Sequence, residues 1–214
     1  MTEDYDYIKS FFKEHAHIYD FVNAPLAGLR EKTVDIVKKR DGGEVLDVAT
    51  GTGKQAFAFA RRGFKVTGID LSEEMLQIAR RKNKYPSVKF EVGDATSLPY
   101  ESNYFDVTSI SFALHDMPAS FRGKVLSEMA RVTKPEGSIV VIDYALPRGK
   151  IWRYLVYHGI KLYESKYYPD FAHTDLPALL KDSGIRIEEV RPAWLNTVKI
   201  YQGKKSSDKE QGGR

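Results

Sequence analysis

The residues best suited to chemistry stand at the ends of apolar runs. Gly51-Thr52-Gly53 follows a run containing Val45, Leu46 and Val48, and Ala56, Phe57, Phe59 and Ala60 then recur at helical spacing. A strand, a glycine turn and a helix N-terminus make a place where backbone can approach a ligand closely. Asp70 comes nineteen residues after Gly51 and closes a second apolar run, Phe64 to Ile69. A carboxylate at the end of a neighbouring strand suits two ribose hydroxyls. His115 follows a further run, Phe105 to Phe112, where a histidine titrating near neutrality can act as general base. Asp143 ends the run that starts at Ser138; it can bind a cationic acceptor or cap the turn that follows. Tyr19, on an N-terminal helical stretch, can orient an acceptor or shield a cation with its ring. His15 and His17 are two apart on a helix and point to different faces, so no metal site is expected.

These positions need an alternating framework. Residues 7 to 40 read as helices interrupted at Pro25 and stopped by Asp41-Gly42-Gly43. From Glu44 onward strand and helix signals alternate, with strands at 44–49, 64–69, 88–92, 105–112 and 138–143. Helices are expected over about 53 to 62, from Ser72 to about Arg81, and from Ser120 to Val132, the last leading to a turn at Lys134-Pro135-Glu136-Gly137. A helix from Thr174 to Ser183 precedes two strands, Ile185–Val190 and Trp194–Tyr201. The link at Arg191-Pro192-Ala193 is too short for a crossover, so that pair is expected to be antiparallel. The fold class is therefore α/β: a Rossmann-like, mostly parallel seven-stranded sheet with helices on both faces and a C-terminal antiparallel pair.

Composition narrows the classes. The chain has 214 residues, 42% hydrophobic and 29% charged, which is ordinary for a globular protein with a substantial core. One domain is expected over 1–203, with a helical cap at 1–43 and a disordered polar tail at 204–214. There is no cysteine, which removes disulfides, thiolate metal sites and a cysteine nucleophile. The acidic N-terminus does not read as a secretory signal, and no apolar run is long enough to span a membrane. The expectation is a cytoplasmic protein.

With the chain laid out, it resembles the class I S-adenosylmethionine-dependent methyltransferases over roughly residues 15 to 200. The resemblance rests on Leu46 to Gly53, Gly68-Ile69-Asp70-Leu71-Ser72, Gly93-Asp94-Ala95, Leu98-Pro99-Tyr100 before Phe105-Asp106, and Arg131 to Gly137. It implies S-adenosylmethionine as cofactor. Asp47 and Gly51 would hold its methionine end and Asp70 its ribose, with Ala49, Gly53 and Ser111 also among the cofactor-binding residues. Asp94 would accept from the adenine amino group, and Leu71 and the Ala95 backbone would flank the ring. Ala49 stands where many members have their first glycine. Tyr19, in Ala16 to Asn23, would close over the cofactor; that run looks most like the ubiquinone/menaquinone C-methyltransferases and related lipid N-methyltransferases. Quinone enzymes of the group typically carry Arg-Asn just after strand four, where this chain has His115-Asp116. Gly51 to Ala56 also satisfies G-x-G-x-x-A, so a nicotinamide-binding domain is the alternative fold-mate. That alternative leaves Asp47 and Gly93-Asp94-Ala95 without a part to play.

The stretch 146–169 points to the acceptor. Between Leu146 and Tyr168 stand five bases, Arg148, Lys150, Arg153, Lys161 and Lys166, against the one acid Glu164, with six Trp or Tyr side chains interleaved. Such an insert suits a substrate lid, or a surface resting on anionic lipid. The expected acceptor is a small hydrophobic or lipid-like molecule of the quinone or phospholipid-headgroup class. A soluble metabolite, or a non-catalytic cofactor-binding module, is the alternative. The body outside the insert and tail is not basic, so no nucleic-acid partner is expected.

Overall fold

The computed structural model describes residues 3–12, 27–37 and 42–206. Tyr19, His15 and His17 lie outside them. Residues 3–12 are helical (α1) and α2 covers Ala27–Ile36. The alternating part follows as β1 Glu44–Val48, α3 Lys54–Arg61, β2 Lys65–Asp70, α4 Glu73–Lys82, β3 Val88–Val92 and β4 Phe105–Ser111. A short 3-10 turn, Leu114–Asp116, leads to α5 Ala119–Val132 and β5 Thr133–Tyr144. Then come α6 Lys150–Lys161, α7 Tyr168–Phe171, α8 Leu176–Asp182, β6 Ile185–Ala193 and β7 Val198–Lys205.

The strands form one seven-stranded sheet in the order β3-β2-β1-β4-β5-β7-β6. The first five are parallel, and β7 runs antiparallel to both β5 and β6. Both faces are covered, as a parallel sheet requires. On β1, Val45 packs into the core shared with α2, α3 and α4, while Leu46 and Val48 face the core of α5 and α8. The chain order reverses between β1 and β4, and the crevice outside the carboxyl ends of strands at such a point is where α/β sheets bind ligands.

Three local expectations shift. The turn expected at Lys134–Gly137 lies within β5: Phe105 pairs with Thr133 and Val107 with Ser138, so residues 134–137 bulge opposite Asp106 alone. The final turn is Trp194–Thr197, not Arg191–Ala193, and Trp194, Leu195 and Asn196 all have positive φ. Pro192 is tolerated because β6 is the edge strand. Lys204 and Lys205, assigned to the tail, pair with Arg186 and Ile185 in the sheet.

Candidate active site

The glycine turn after β1 is shaped by backbone demands. Ala49, Gly51 and Gly53 have φ of 50°, 55° and 81°, a region that costs a residue with a Cβ roughly 1–2 kcal/mol. Ala49 bears that cost where glycine would not. Gly53 cannot be replaced so cheaply: a Cβ there would stand 2.7 Å from the Phe90 ring and 3.0 Å from Phe57.

Asp70 fastens the turn. Its Oδ2 accepts from Gly51 N at 2.8 Å and its Oδ1 from Ser72 N at 2.9 Å, tying the ends of β1 and β2 together. Ser72 then caps α4 by accepting from Met75 N. Burial raises the Asp70 carboxyl, opposed by the backbone donors of Ser72, Gly51 and Leu71.

Asp47 lies directly behind the turn and is wholly buried. Thr50 Oγ1 donates to its Oδ2 at 2.5 Å, while Oδ1 has no hydrogen-bond partner among the described residues. Burial pushes its carboxyl up to about 7, against the pull of Thr50 and Arg30. A buried carboxylate oxygen with unused capacity suits the ammonium of an amino acid, and the adjacent glycine turn suits its carboxylate. These residues fit the methionine end of S-adenosylmethionine.

The cavity outside the strand ends encloses about 770 Å³ including its mouth. Ala49, Gly51, Asp70, Leu71, Asp94 and Ala95 line it, as the sequence reading expects of cofactor-binding residues. Gly53 and Ser111 do not line it, and Asp47 stands behind its wall. The opposite wall is Phe112, Ala113, Asp116, Met117, Phe121 and Val125. Helix α1 closes the top with Tyr5, Ile8, Lys9 and Phe12. Tyr5 donates its hydroxyl to Asp94 Oδ2 at 2.5 Å and packs on Phe121 with ring centroids 4.8 Å apart. It therefore holds the very acid assigned to adenine. Nothing in the acidic opening of the chain signalled a partner 89 residues away.

His115 and Asp143, each expected at the ligand-binding edge, contact one another, and neither lines the cavity. His115 is 2% exposed and its Nδ1 lies 2.6 Å from Asp143 Oδ1. Its Nε2 lies 3.2 Å from both Asp116 Oδ2 and Glu164 Oε2. Asp143 is fixed in turn by the backbone N–H groups of Leu114 and Tyr144. Burial works against the imidazolium, yet Asp116, Asp143 and Glu164 together raise the ring well above its usual value. The three acids favour the charged form of the ring, and His115, expected as the general base, does not itself line the cavity. The carboxylate that reaches the cavity is Asp116, which the sequence reading noted only as a departure from the quinone enzymes. Buried Arg122 holds this corner: its Nε donates to Leu114 O and Met117 O, and its Nη1 to Asp170 at 2.6 Å. From the 146–169 stretch, Glu164, Ser165 N and the Tyr168 ring reach the His115 cluster; α6 does not line the cofactor cavity. A second, polar cavity lies between α6, α8 and β7, with Tyr144, Arg153, Tyr168, Lys199 and Tyr201 among its lining.

Comparison with known proteins places this geometry. Residues 45–137 match a family described as a methyltransferase domain. The chain is 30% identical to the ubiquinone/menaquinone biosynthesis C-methyltransferase UbiE of Geobacter sulfurreducens, with 96% of this chain and 91% of that protein aligned. It is 37% identical to the demethylmenaquinone methyltransferase of Paenarthrobacter aurescens over 70% of this chain, an alignment that spans 60% of that relative's length. Among solved structures, a SAM-dependent methyltransferase from Aquifex aeolicus superposes with a TM-score of 0.64 at 23% identity, covering 81% of this chain and 88% of that one. The fold, the acids at the tips of β1, β2 and β3, and these relatives agree: the chain belongs to the class I S-adenosylmethionine-dependent methyltransferases, near the ubiquinone/menaquinone C-methyltransferase group.

Proposed function

We propose that this protein transfers a methyl group from S-adenosylmethionine to a reduced quinone or a closely similar hydrophobic ring. The observation that carries the reading is Asp116, a single acid set into an otherwise apolar cavity wall of Phe112, Ala113, Met117, Phe121 and Val125. The names of the aligned relatives support the acceptor class. The bound cofactor supplies an electrophilic methyl on sulfur. The apolar wall excludes water and presses a ring toward that end of the cavity. Asp116 accepts the proton of a ring hydroxyl, which raises electron density at the neighbouring carbon. A carbon–carbon bond forms as the carbon–sulfur bond breaks, and the ring proton displaced by the methyl leaves to solvent. His115 keeps Asp116 in place through its Nε2 contact.

The test is direct. Purified protein is given methyl-labelled cofactor and a reduced demethylmenaquinone, and products are separated into organic and aqueous phases. Label in a quinone one methyl heavier supports the reading. Label confined to water-soluble compounds, or none transferred, overturns it.

The acceptor class also fits a peripheral site at an anionic membrane. No helix among the described residues is long and apolar enough to cross a membrane. On α6 and just beyond it, Ile151, Leu155 and Leu162 are 80%, 56% and 87% exposed, beside the bases Lys150, Arg153 and Lys161. An exposed apolar stripe flanked by bases suits the lipid interface, where each base adds about 1 kcal/mol. Sedimentation with anionic vesicles should pellet the parent chain. A Lys150→Gln, Arg153→Gln, Lys161→Gln variant should stay in the supernatant. Equal pelleting of both, or binding to neutral vesicles alone, refutes this placement.

A further inference from the structure

The cluster around His115, three buried side chains and the half-buried Glu164, carries more charge than an acid–base pair needs. Three carboxylates, Asp116, Asp143 and Glu164, share the single imidazole of His115. Ser165 N donates to Asp116 and the Tyr144 hydroxyl to Glu164, yet three acids still outnumber the one imidazole, an arrangement costly away from water unless a further cation joins it. The side chains come from three separate places in the fold, so local sequence does not force them together: the 3-10 turn, the end of β5, and the link between α6 and α7.

We propose that His115, Asp116 and Glu164 form a binding site for one divalent transition cation, of the Mn²⁺ or Zn²⁺ class. One nitrogen and two carboxylate oxygens are a donor set suited to such ions, whereas Mg²⁺ and Ca²⁺ favour oxygen alone. One donor atom from each of the three lies within 4.8 Å of the others, and Nε2 stands 3.2 Å from an oxygen of each acid. Metal bonds of about 2.0–2.2 Å at tetrahedral angles set donor spacings of roughly 3.3–3.6 Å, so shifts of about an ångström or less per side chain make the site. Asp143 supplies the outer support: it binds Nδ1 at 2.6 Å and leaves Nε2 facing the two acids, the carboxylate–histidine arrangement found behind metal-ligating imidazoles.

A further observation comes from outside the cluster. Tyr168 is 1% exposed, and its hydroxyl has no hydrogen-bond partner among the described residues. The charges of His115 and Glu164 both act on that hydroxyl, and its ring centroid is 6.5 Å from that of His115. A buried hydroxyl beside the cluster with unused capacity fits a water or hydroxide carried by a bound ion. Asp116 also lines the cofactor cavity, so an ion held here would sit at the edge of that cavity. This site is independent of which acceptor the enzyme uses.

The test is binding to the full chain, purified without a histidine tag and freed of metal. Titration with Mn²⁺ should give one saturable site per chain with micromolar affinity. Pulsed electron resonance of the bound ion should show coupling to one imidazole nitrogen. Glu164→Gln should weaken binding at least tenfold, while Glu136→Gln, an exposed acid on the bulge of β5, should leave it unchanged. Unsaturable binding, absence of nitrogen coupling, or equal affinity in parent and a folded Glu164→Gln protein overturns the proposal. The nitrogen signal is read on the parent alone, so the outcome stands even where a variant fails to fold.

Discussion

Asp47 makes cofactor affinity depend on pH in a calculable way. Its carboxyl is raised to about 7 by burial, and its free oxygen is the one suited to the methionine ammonium. Only the ionised form attracts that ammonium. With a pKa of about 7, roughly a tenth of the molecules are competent at pH 6 and nine tenths at pH 8, so affinity should rise about tenfold, or about 1.4 kcal/mol, across that interval. Binding at pH 6.5 should release about 0.8 proton per cofactor bound. Calorimetry in two buffers of different ionisation enthalpy measures both quantities at once. In Asp47→Asn the pH slope should vanish, and affinity at pH 8 should drop about ten- to a hundredfold, the worth of one charge-assisted hydrogen bond at about 1.5–3 kcal/mol. The same group has a stability signature. Between its unfolded value near 3.8 and its folded value near 7 the native chain holds a proton that the unfolded chain has released. Asp47 therefore makes stability fall as pH rises through that window. An unaltered pH slope in a folded Asp47→Asn protein, or a flat profile in the parent, would refute the assignment.

His115 has a linkage of the same sign, over a higher pH range. Its folded pKa is raised by Asp116, Asp143 and Glu164, so its stabilisation is complete below the unfolded value and is lost as pH climbs through the folded one. The denaturation penalty of His115→Gln should be larger at pH 6 than at pH 10, and its turnover should fall by up to about 10² through misplacement of Asp116, with cofactor affinity nearly unchanged; equal penalties at the two pH values would argue against the ion-paired cluster. Tyr5→Phe removes the hydroxyl bound to Asp94, a bond the adenine amino group must displace. Cofactor affinity should improve about tenfold or more, the worth of one hydrogen bond to a carboxylate, and weaker binding in calorimetry would mean that Tyr5 assists the ligand instead.

Much of this was legible in the residues because the signals were local. Apolar runs ending in Asp or Gly marked β1, β2 and β3, and Ser72 with Glu73 and Glu74 marked the start of α4. The misplaced turns share one cause: Lys134-Pro135-Glu136-Gly137 and Arg191-Pro192-Ala193 have turn composition but sit where pairing across the sheet overrides it, one as a bulge and one on an edge. The candidate site was legible where it rests on strand ends, at Asp47, Gly51, Asp70 and Asp94. Its other half depends on contacts between distant segments. Glu164 meets His115 across 49 residues, and Tyr5 meets Asp94 across 89. The adjacency of Asp116 to His115 was the available clue to the cavity acid. Which of the two faces the ligand is decided by the 3-10 turn that carries them.

The central claim is that the cofactor lies across the tips of β1, β2 and β3 with its reactive end toward Asp116. A crystal structure with bound S-adenosylhomocysteine tests it most directly. The account predicts both ribose hydroxyls within hydrogen-bond distance of Asp70, the adenine ring against Leu71 and Ala95, and the sulfur on the Asp116 side of the cavity. A ligand seated instead in the polar cavity between α6, α8 and β7, or in the first cavity with its ribose away from Asp70, would contradict it.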